Sequence, residues 1–248
     1  MGPVIFIAAM IITFIAAIIG GMVGGSYLIL IPALLFLGID IHHVIGITKI
    51  TSIALGLAFI NYLRNGKVNI RSSWPYALPV VIGSIIGSFI VIGLDKVILQ
   101  KIIAVFIIAI GVFLLFRKDF GVNKLKRKIK KSYIVLAVIL FFILGIYEGF
   151  YAAASSIFIV MIFSGLLGKD FVESIGDTRF IELFAAIAAT VIFASEGLID
   201  YKIAIPIGIV YFFGGWVGSQ ITIKKGAAWI RYVIIIIAFA FGVKMLFF

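Results

Sequence analysis

The sequence predicts an all-α integral membrane protein made of two homologous repeats of about 125 residues, and three observations lead there. Of its 248 residues, 64% are hydrophobic and 12% charged, with a mean hydropathy of +1.32. A soluble domain of this length cannot hide so much apolar surface. The apolar segments outrun strand length and lack alternation of period two, which favours helices over a barrel. The second half then repeats the first. Gly38, Asp40, Gly46, Thr48 and Lys49 recur 130 positions later as Gly168, Asp170, Gly176, Thr178 and Arg179. At an offset of 131, Gly66, Asn69, Gly83, Gly87, Ser88 and Gly111 meet Gly197, Asp200, Gly214, Gly218, Ser219 and Gly242. One residue inserted between the two blocks accounts for the change of offset.

The first repeat (residues 1–116) offers apolar segments at 3–19, 27–37, 44–62, 75–93 and 97–116. The second (132–248) offers 132–146, 153–167, 171–195, 203–223 and 228–248. The second segment of each repeat is shorter than the roughly 20 residues that a spanning helix needs. Small residues join it to the first segment. They are Gly20, Gly21, Gly24, Gly25 and Ser26 in one repeat, and Gly145, Gly149, Ala152, Ala153, Ala154, Ser155 and Ser156 in the other. Such residues let a backbone turn sharply and pack closely. Each pair is therefore expected to form a bent or re-entrant hairpin, followed by three spanning helices.

Charge sets the direction. The linker at 117–131 carries Arg117, Lys118, Lys124, Lys126, Arg127, Lys128, Lys130 and Lys131, which marks it as cytoplasmic. Counting back places the loop with Arg64, Lys67 and Arg71 in the cytoplasm and the loop with Lys96 and Lys101 outside. Counting forward places Lys224, Lys225 and Arg231 in the cytoplasm, and Glu196, Asp200 and Lys202 outside. Corresponding loops fall on opposite sides, so the repeats are expected to be inverted, with both termini external. A parallel arrangement of four plus four spans is the alternative. The net charge of +11 reads as topology, since no basic groove with interleaved aromatics points to nucleic acid. The absence of cysteine excludes disulfides and thiol chemistry. Met1 to Ile19 lacks Lys and Arg, which suits an uncleaved first helix better than a signal peptide.

The hinge stretch Val23-Gly-Gly-Ser26, then Pro32-Ala-Leu-Leu-Phe-Leu-Gly38, then Gly46-Ile-Thr48, resembles the sulfite exporter TauE/SafE family of membrane transporters. The second copy reads Gly145-Ile-Tyr-Glu-Gly149, Ala154-Ser-Ser156, Leu167-Gly168 and Gly176-Asp-Thr178. The polar loops Asn65–Asn69 and Glu196–Asp200 fit the same pattern, and the resemblance covers nearly the whole chain. It implies export or uptake of small sulfur oxyanions or organosulfonates, coupled to an ion gradient. Three departures bear on the substrate. Lys49 stands where a small hydroxyl residue is usual, Ala154-Ser155-Ser156 replaces a glycine cluster, and Ile162 stands where Pro32 has its counterpart.

The duplicated cations, Lys49 and Arg179, are the leading candidates for holding an anion. A cation at the centre of a spanning helix costs about 2.5–3.5 kcal/mol, so it persists where it faces a polar cavity, a partner or a ligand. Both follow Gly-x-Thr near the start of a segment, where helix amides would add to the attraction for an anion. The competing reading makes both of them interfacial anchors. Thr48, Thr178, Ser26, Ser156 and Ser52, with Thr51, would donate to anion oxygens, or else bond back to their own helices. Glu182 lies three residues after Arg179 and so shares its face. It is a candidate for proton coupling or a simple ion-pair partner, and Glu148 in the second hinge is the other coupling candidate. Asp177 reads as structural. The glycine pairs Gly83/Gly87 and Gly214/Gly218 signal close helix packing. His42-His43 lacks the companions that a metal shell needs, and no metal or other cofactor is expected. With no nucleotide-binding loop in the chain, the expected activity is secondary transport of a small anion across the lipid bilayer. The competing readings are an anion channel of the same fold, an intramembrane enzyme and a membrane scaffold.

Overall fold

The computed structural model describes residues 3–22, 24–95, 97–99, 101–102, 105 and 131–247, with side chains among those from residue 6 to residue 226. The segment expected at 97–116 and the basic linker at 117–131 lie almost wholly outside the described residues. All regular structure within the described residues is helical. In chain order the helices are α1 (Pro3–Met22), α2 (Tyr27–Phe36), α3 (Ile41–Gly56), α4 (Phe59–Arg64) and α5 (Ile70–Ile92). Then come α6 (Lys131–Phe150), α7 (Ser155–Met161), α8 (Phe171–Ser195) and α9 (Tyr201–Phe247). A π-helical turn, Ile162–Leu166, extends α7. Gly226, at φ 72°, breaks α9. Among the described residues, five stretches are long and apolar enough to cross a membrane: Ile41–Arg64, Ile70–Ile92, Lys131–Phe150, Phe171–Ser195 and Tyr201–Gly226.

Polar caps set the helix starts. Asp40 accepts a hydrogen bond from the His42 N–H at 3.0 Å, and Asp170 accepts one from the Val172 N–H at 3.0 Å. A carboxylate there satisfies one of the amides that a helix start leaves free. Asn69 does the same for Ser72, and Asp200 for Lys202. These caps start α3 three residues earlier, and α5 five residues earlier, than the sequence segments suggested.

The expected hinges are present. Between α1 and α2 the chain leaves helical geometry at Gly24 (φ 97°) and Gly25 (φ 78°). Between α6 and α7 it does so at Ala152 (φ 63°) and Ala154 (φ 62°). The two hinges touch, because a Cβ added to Gly24 would lie 2.5 Å from the Ser156 Cβ.

Glycine contacts fix the direction of three of the packed helix pairs. Along α3–α4 and α8, Gly46 abuts Leu198, Gly56 abuts Leu183, and Tyr62 with Lys67 abuts Gly176. Rising numbers on one strand of contacts meet falling numbers on the other, so these helices run antiparallel. Helix α1 lies along α9, with Gly214 against Phe14 and Gly218 against Ile18. Helix α5 lies along α6, with Gly83 against Phe142 and Gly87 against Ile146. Both of these pairs run parallel. The glycine pairs thus seat one half of the chain against the other, as their spacing suggested. Buried residues concentrate on α3 and α8, while α5 and α6 expose Ile82, Ile86, Phe89, Ile90, Val135, Ile139 and Ile143 as a bilayer face should.

Candidate functional site

Lys49 and Arg179 are each the ninth residue of a helix, α3 and α8, and each is only 1% exposed. At 1.5 Å per residue that is about 12 Å past the helix start. Burial removes the reading of both as interfacial anchors. It also corrects the expectation that their own helix starts would surround them, because the Asp40 and Asp170 caps put those starts two turns away.

Each cation instead reaches the hinge of the other half. Lys49 Nζ donates to the carbonyls of Glu148 (3.1 Å) and Gly149 (2.7 Å) and lies 5.2 Å from the centre of the Phe193 ring. Arg179 Nη2 donates to the carbonyl of Gly20, and its Nη1 to Ser156 Oγ (3.0 Å) and Glu182 Oε2 (2.7 Å). The carbonyls at the ends of α1 and α6 form the negative end of the helix dipole and keep lone pairs to spare, although that of Gly20 already accepts from the Gly24 N–H at 2.9 Å. A buried cation suits both features. Arg179, by touching Gly20 and Ser156, ties the two hinges together.

The two acids complete the centre. Glu148 is 5% exposed, and its Oε2 accepts from the Ser155 hydroxyl. It interacts electrostatically with Glu182, Lys49 and Arg179, so all four charges share one environment. Arg179 Nε and Glu182 Oε1 are buried and have no hydrogen-bond partner among the described residues. A free donor and a free acceptor therefore remain beside the hinges.

The hydroxyl candidates divide. Thr48 donates to the Ile45 carbonyl at 2.6 Å and Thr178 to the Ser174 carbonyl at 2.7 Å, so both are tied back to their own helices. Ser26 accepts from the Tyr211 hydroxyl, and Ser52 shares a 2.7 Å hydrogen bond with the Tyr27 hydroxyl. Thr51 donates to the carbonyls of Ile47 and Thr48. Tyr27 and Tyr211 were not among the expected residues. Their rings lie parallel within 3°, with centroids 5.9 Å apart. The available signal was a tyrosine directly after Ser26, but nothing repeats it in the second half, where Ile157 stands. The centre thus gathers Lys49 of α3, Glu148 of α6 and Arg179 and Glu182 of α8 with the hydroxyls of Ser26, Tyr27, Ser52, Ser156 and Tyr211.

Comparison with known proteins places the chain in a family. Residues 9–245 match the sequence model of the family described as Sulfite exporter TauE/SafE. A "Probable membrane transporter protein ORF9" of Sinorhizobium sp. is 26% identical over 98% of this chain and 91% of its own length. A "Probable membrane transporter protein" of Haemophilus influenzae is 27% identical over 94% of this chain and 91% of its own. The "Probable membrane transporter protein YfcA" of Escherichia coli is 24% identical over 98% and 89%. No solved structure matches. The family match spans both hinges, both cations and all five membrane-length stretches, and the chain is therefore a multi-pass membrane protein belonging to the sulfite exporter TauE/SafE family of membrane transporters.

Proposed function

We propose that this protein is a secondary transporter of a small anion, a sulfur oxyanion or organosulfonate, whose movement is coupled to protons. The substrate would lie between the two hinges, against Arg179 and Lys49 and the hydroxyls of Ser26, Ser52 and Ser156. We further propose that the halves are inverted repeats that rock against each other to expose this centre to each face in turn. The observation that carries the reading is the exchange of cations. Lys49 of the first half holds the Gly149 carbonyl of the second, and Arg179 of the second holds the Gly20 carbonyl of the first. Donors stand 130 residues apart and acceptors 129, which supports a two-fold relation between the repeats. An anion entering the centre competes for those same donors, so its arrival loosens the contact between the halves. The antiparallel run of α3–α4 against α8 supports inversion over a parallel arrangement of four plus four spans. Glu148 and Glu182 supply the proton-accepting groups.

Flux into proteoliposomes tests the proposal. Sulfite, thiosulfate and an organosulfonate should enter with saturating kinetics, faster under an imposed pH gradient, and Lys49→Ala with Arg179→Ala should abolish entry. Carboxylate transport alone would overturn the sulfur assignment. Indifference to the pH gradient would remove proton coupling, and flux that never saturates would identify a channel.

A further inference from the structure

The helix ends near Arg64 carry a polar contact that the charged centre does not use. Lys169, between α7 and α8, donates to Ser72 Oγ (2.9 Å), Ser73 Oγ (3.0 Å) and the Asp177 carboxylate. An ammonium has three hydrogens, and all three are engaged. Asp177 is 1% exposed and also accepts from the Asn69 backbone N–H at 3.3 Å. Lys169 and Asp177 belong to the second half of the chain, and Asn69, Ser72 and Ser73 to the first, so this cluster fastens the halves together. It borders an open pocket of about 490 Å³ that Lys67 and Glu173 also line.

The corresponding contact at the other end of the same helices has different chemistry. There Gly46 abuts Leu198 and Ile199 as Gly176 abuts Lys67 and Val68. Subtracting 130 from Lys169 and Asp177 gives Ile39 and Ile47, and adding 131 to Ser72 and Ser73 gives Ile203 and Ala204. All four polar positions are apolar there, and all four side chains join one hydrophobic cluster with Ile199.

We propose that the two ends of the transport path are closed by gates of unlike chemistry: a polar latch of Lys169, Asp177, Ser72 and Ser73 at the Arg64 end, and an apolar seal of Ile39, Ile47, Ile203 and Ala204 at the Asp40 end. The proposal rests on the alternating-access reading above. Parting the latch trades its hydrogen bonds for bonds to water that the adjoining pocket can admit, and the exchange costs little net free energy. Parting the seal must wet apolar surface, with a cost that grows with its area. The latch end therefore opens more readily, and ionic strength, which screens a charge pair bordering water, favours that opening. Lys67 and Glu173, the other charged groups on the pocket wall, hold opposite charges and leave its sign balanced.

The chain contains no cysteine, so single reporters can be introduced without removing anything. Val68→Cys reports the latch contact and Ile199→Cys the seal. In reconstituted full-length protein, Asp177→Asn should raise maleimide labelling of the Val68→Cys reporter about tenfold, as loss of a charged hydrogen bond implies, without raising labelling at the Ile199→Cys reporter. High salt should move the unmodified latch in the same direction. Should Asp177→Asn fail to fold, the paired change Ser72→Ala with Ser73→Ala removes two of the acceptors and carries the same expectation. Unchanged labelling at the Val68→Cys reporter, or an equal rise at both reporters, overturns the latch. Anion flux is measured on the same vesicles. Flux with unresponsive reporters refutes the latch and leaves the transport reading intact, whereas responsive reporters without flux of any anion tested refute the transport reading.

Discussion

Arg179 is the residue on which structure and activity most nearly coincide, because it bonds a hinge carbonyl, a hinge hydroxyl and a buried acid at once. Two variants separate the roles. Arg179→Met leaves Glu182 buried without its ion partner, a loss of about 3–5 kcal/mol. Combining Arg179→Met with Glu182→Met removes both charges and should recover most of the thermal stability in detergent while anion flux stays absent. Flux in the double variant would show that the pair is structural only. A second prediction concerns Ala152 and Ala154, both at positive φ. Left-handed backbone costs an L residue about 1–2 kcal/mol, and glycine escapes that strain at the expense of a more flexible unfolded chain. Ala154→Gly should therefore raise the melting midpoint, and a lower midpoint would contradict strain at this turn. At this scale the cations, the Arg179–Glu182 spacing and the hinge serines were legible, since each is an unusual residue in apolar sequence. Tyr27 and Tyr211 were not, because a lone tyrosine in an apolar helix looks like packing until its hydroxyl partner is known. The Gly20 carbonyl, 159 residues from Arg179, is backbone and leaves no trace in a side-chain pattern.

Among the helices, contact is governed by glycine. A Cβ at Gly87 would lie 1.9 Å from the Ile146 carbonyl oxygen, and one at Gly218 2.1 Å from that of Ile18. Neither obstacle is a flexible side chain, so the whole helix must retreat. Gly87→Ala and Gly218→Ala should each destabilise by about 1–3 kcal/mol, the range for overpacking, and should slow flux by parting the halves. Gly165→Ala is the matched control, since nothing lies within 4 Å of its added methyl. Equal melting midpoints for all three would refute tight packing on α5 and α9. The spacing Gly-x-x-x-Gly announced such contacts from sequence. The identity of the partner helix was hidden, because α5 chooses α6, which lies beyond the basic linker in sequence, and α1 chooses α9 in the other half of the chain. Helix starts were misplaced for a related reason. The expected segments begin at the apolar runs from residues 44 and 75, whereas Asp40 and Asn69, which accept amides two and three residues later, mark the helix starts.

At the scale of the whole molecule, the decisive quantity is the charge enclosed between the hinges. Lys49 and Arg179 can contribute two positive charges and Glu148 and Glu182, when both are ionised, two negative ones, with all four nearly inaccessible to water. Separated charges in an apolar interior are costly, and a balanced set is the least costly arrangement. A monoanion that entered alone would leave the centre one charge negative. If it enters with a proton taken up by Glu148 or Glu182, balance is kept through the cycle. Transport is therefore expected to be electroneutral, with one proton for each monoanion. In proteoliposomes on a solid-supported membrane, anion addition should acidify the lumen without a sustained current, and clamping the potential with valinomycin and potassium should leave the rate unchanged. Glu148→Gln removes one acid while sparing the Arg179–Glu182 pair, and should convert the cycle to one that carries current or to one that stalls. A large potential-dependent current from the unmodified protein would mean that the four charges do not move through the cycle as a balanced set.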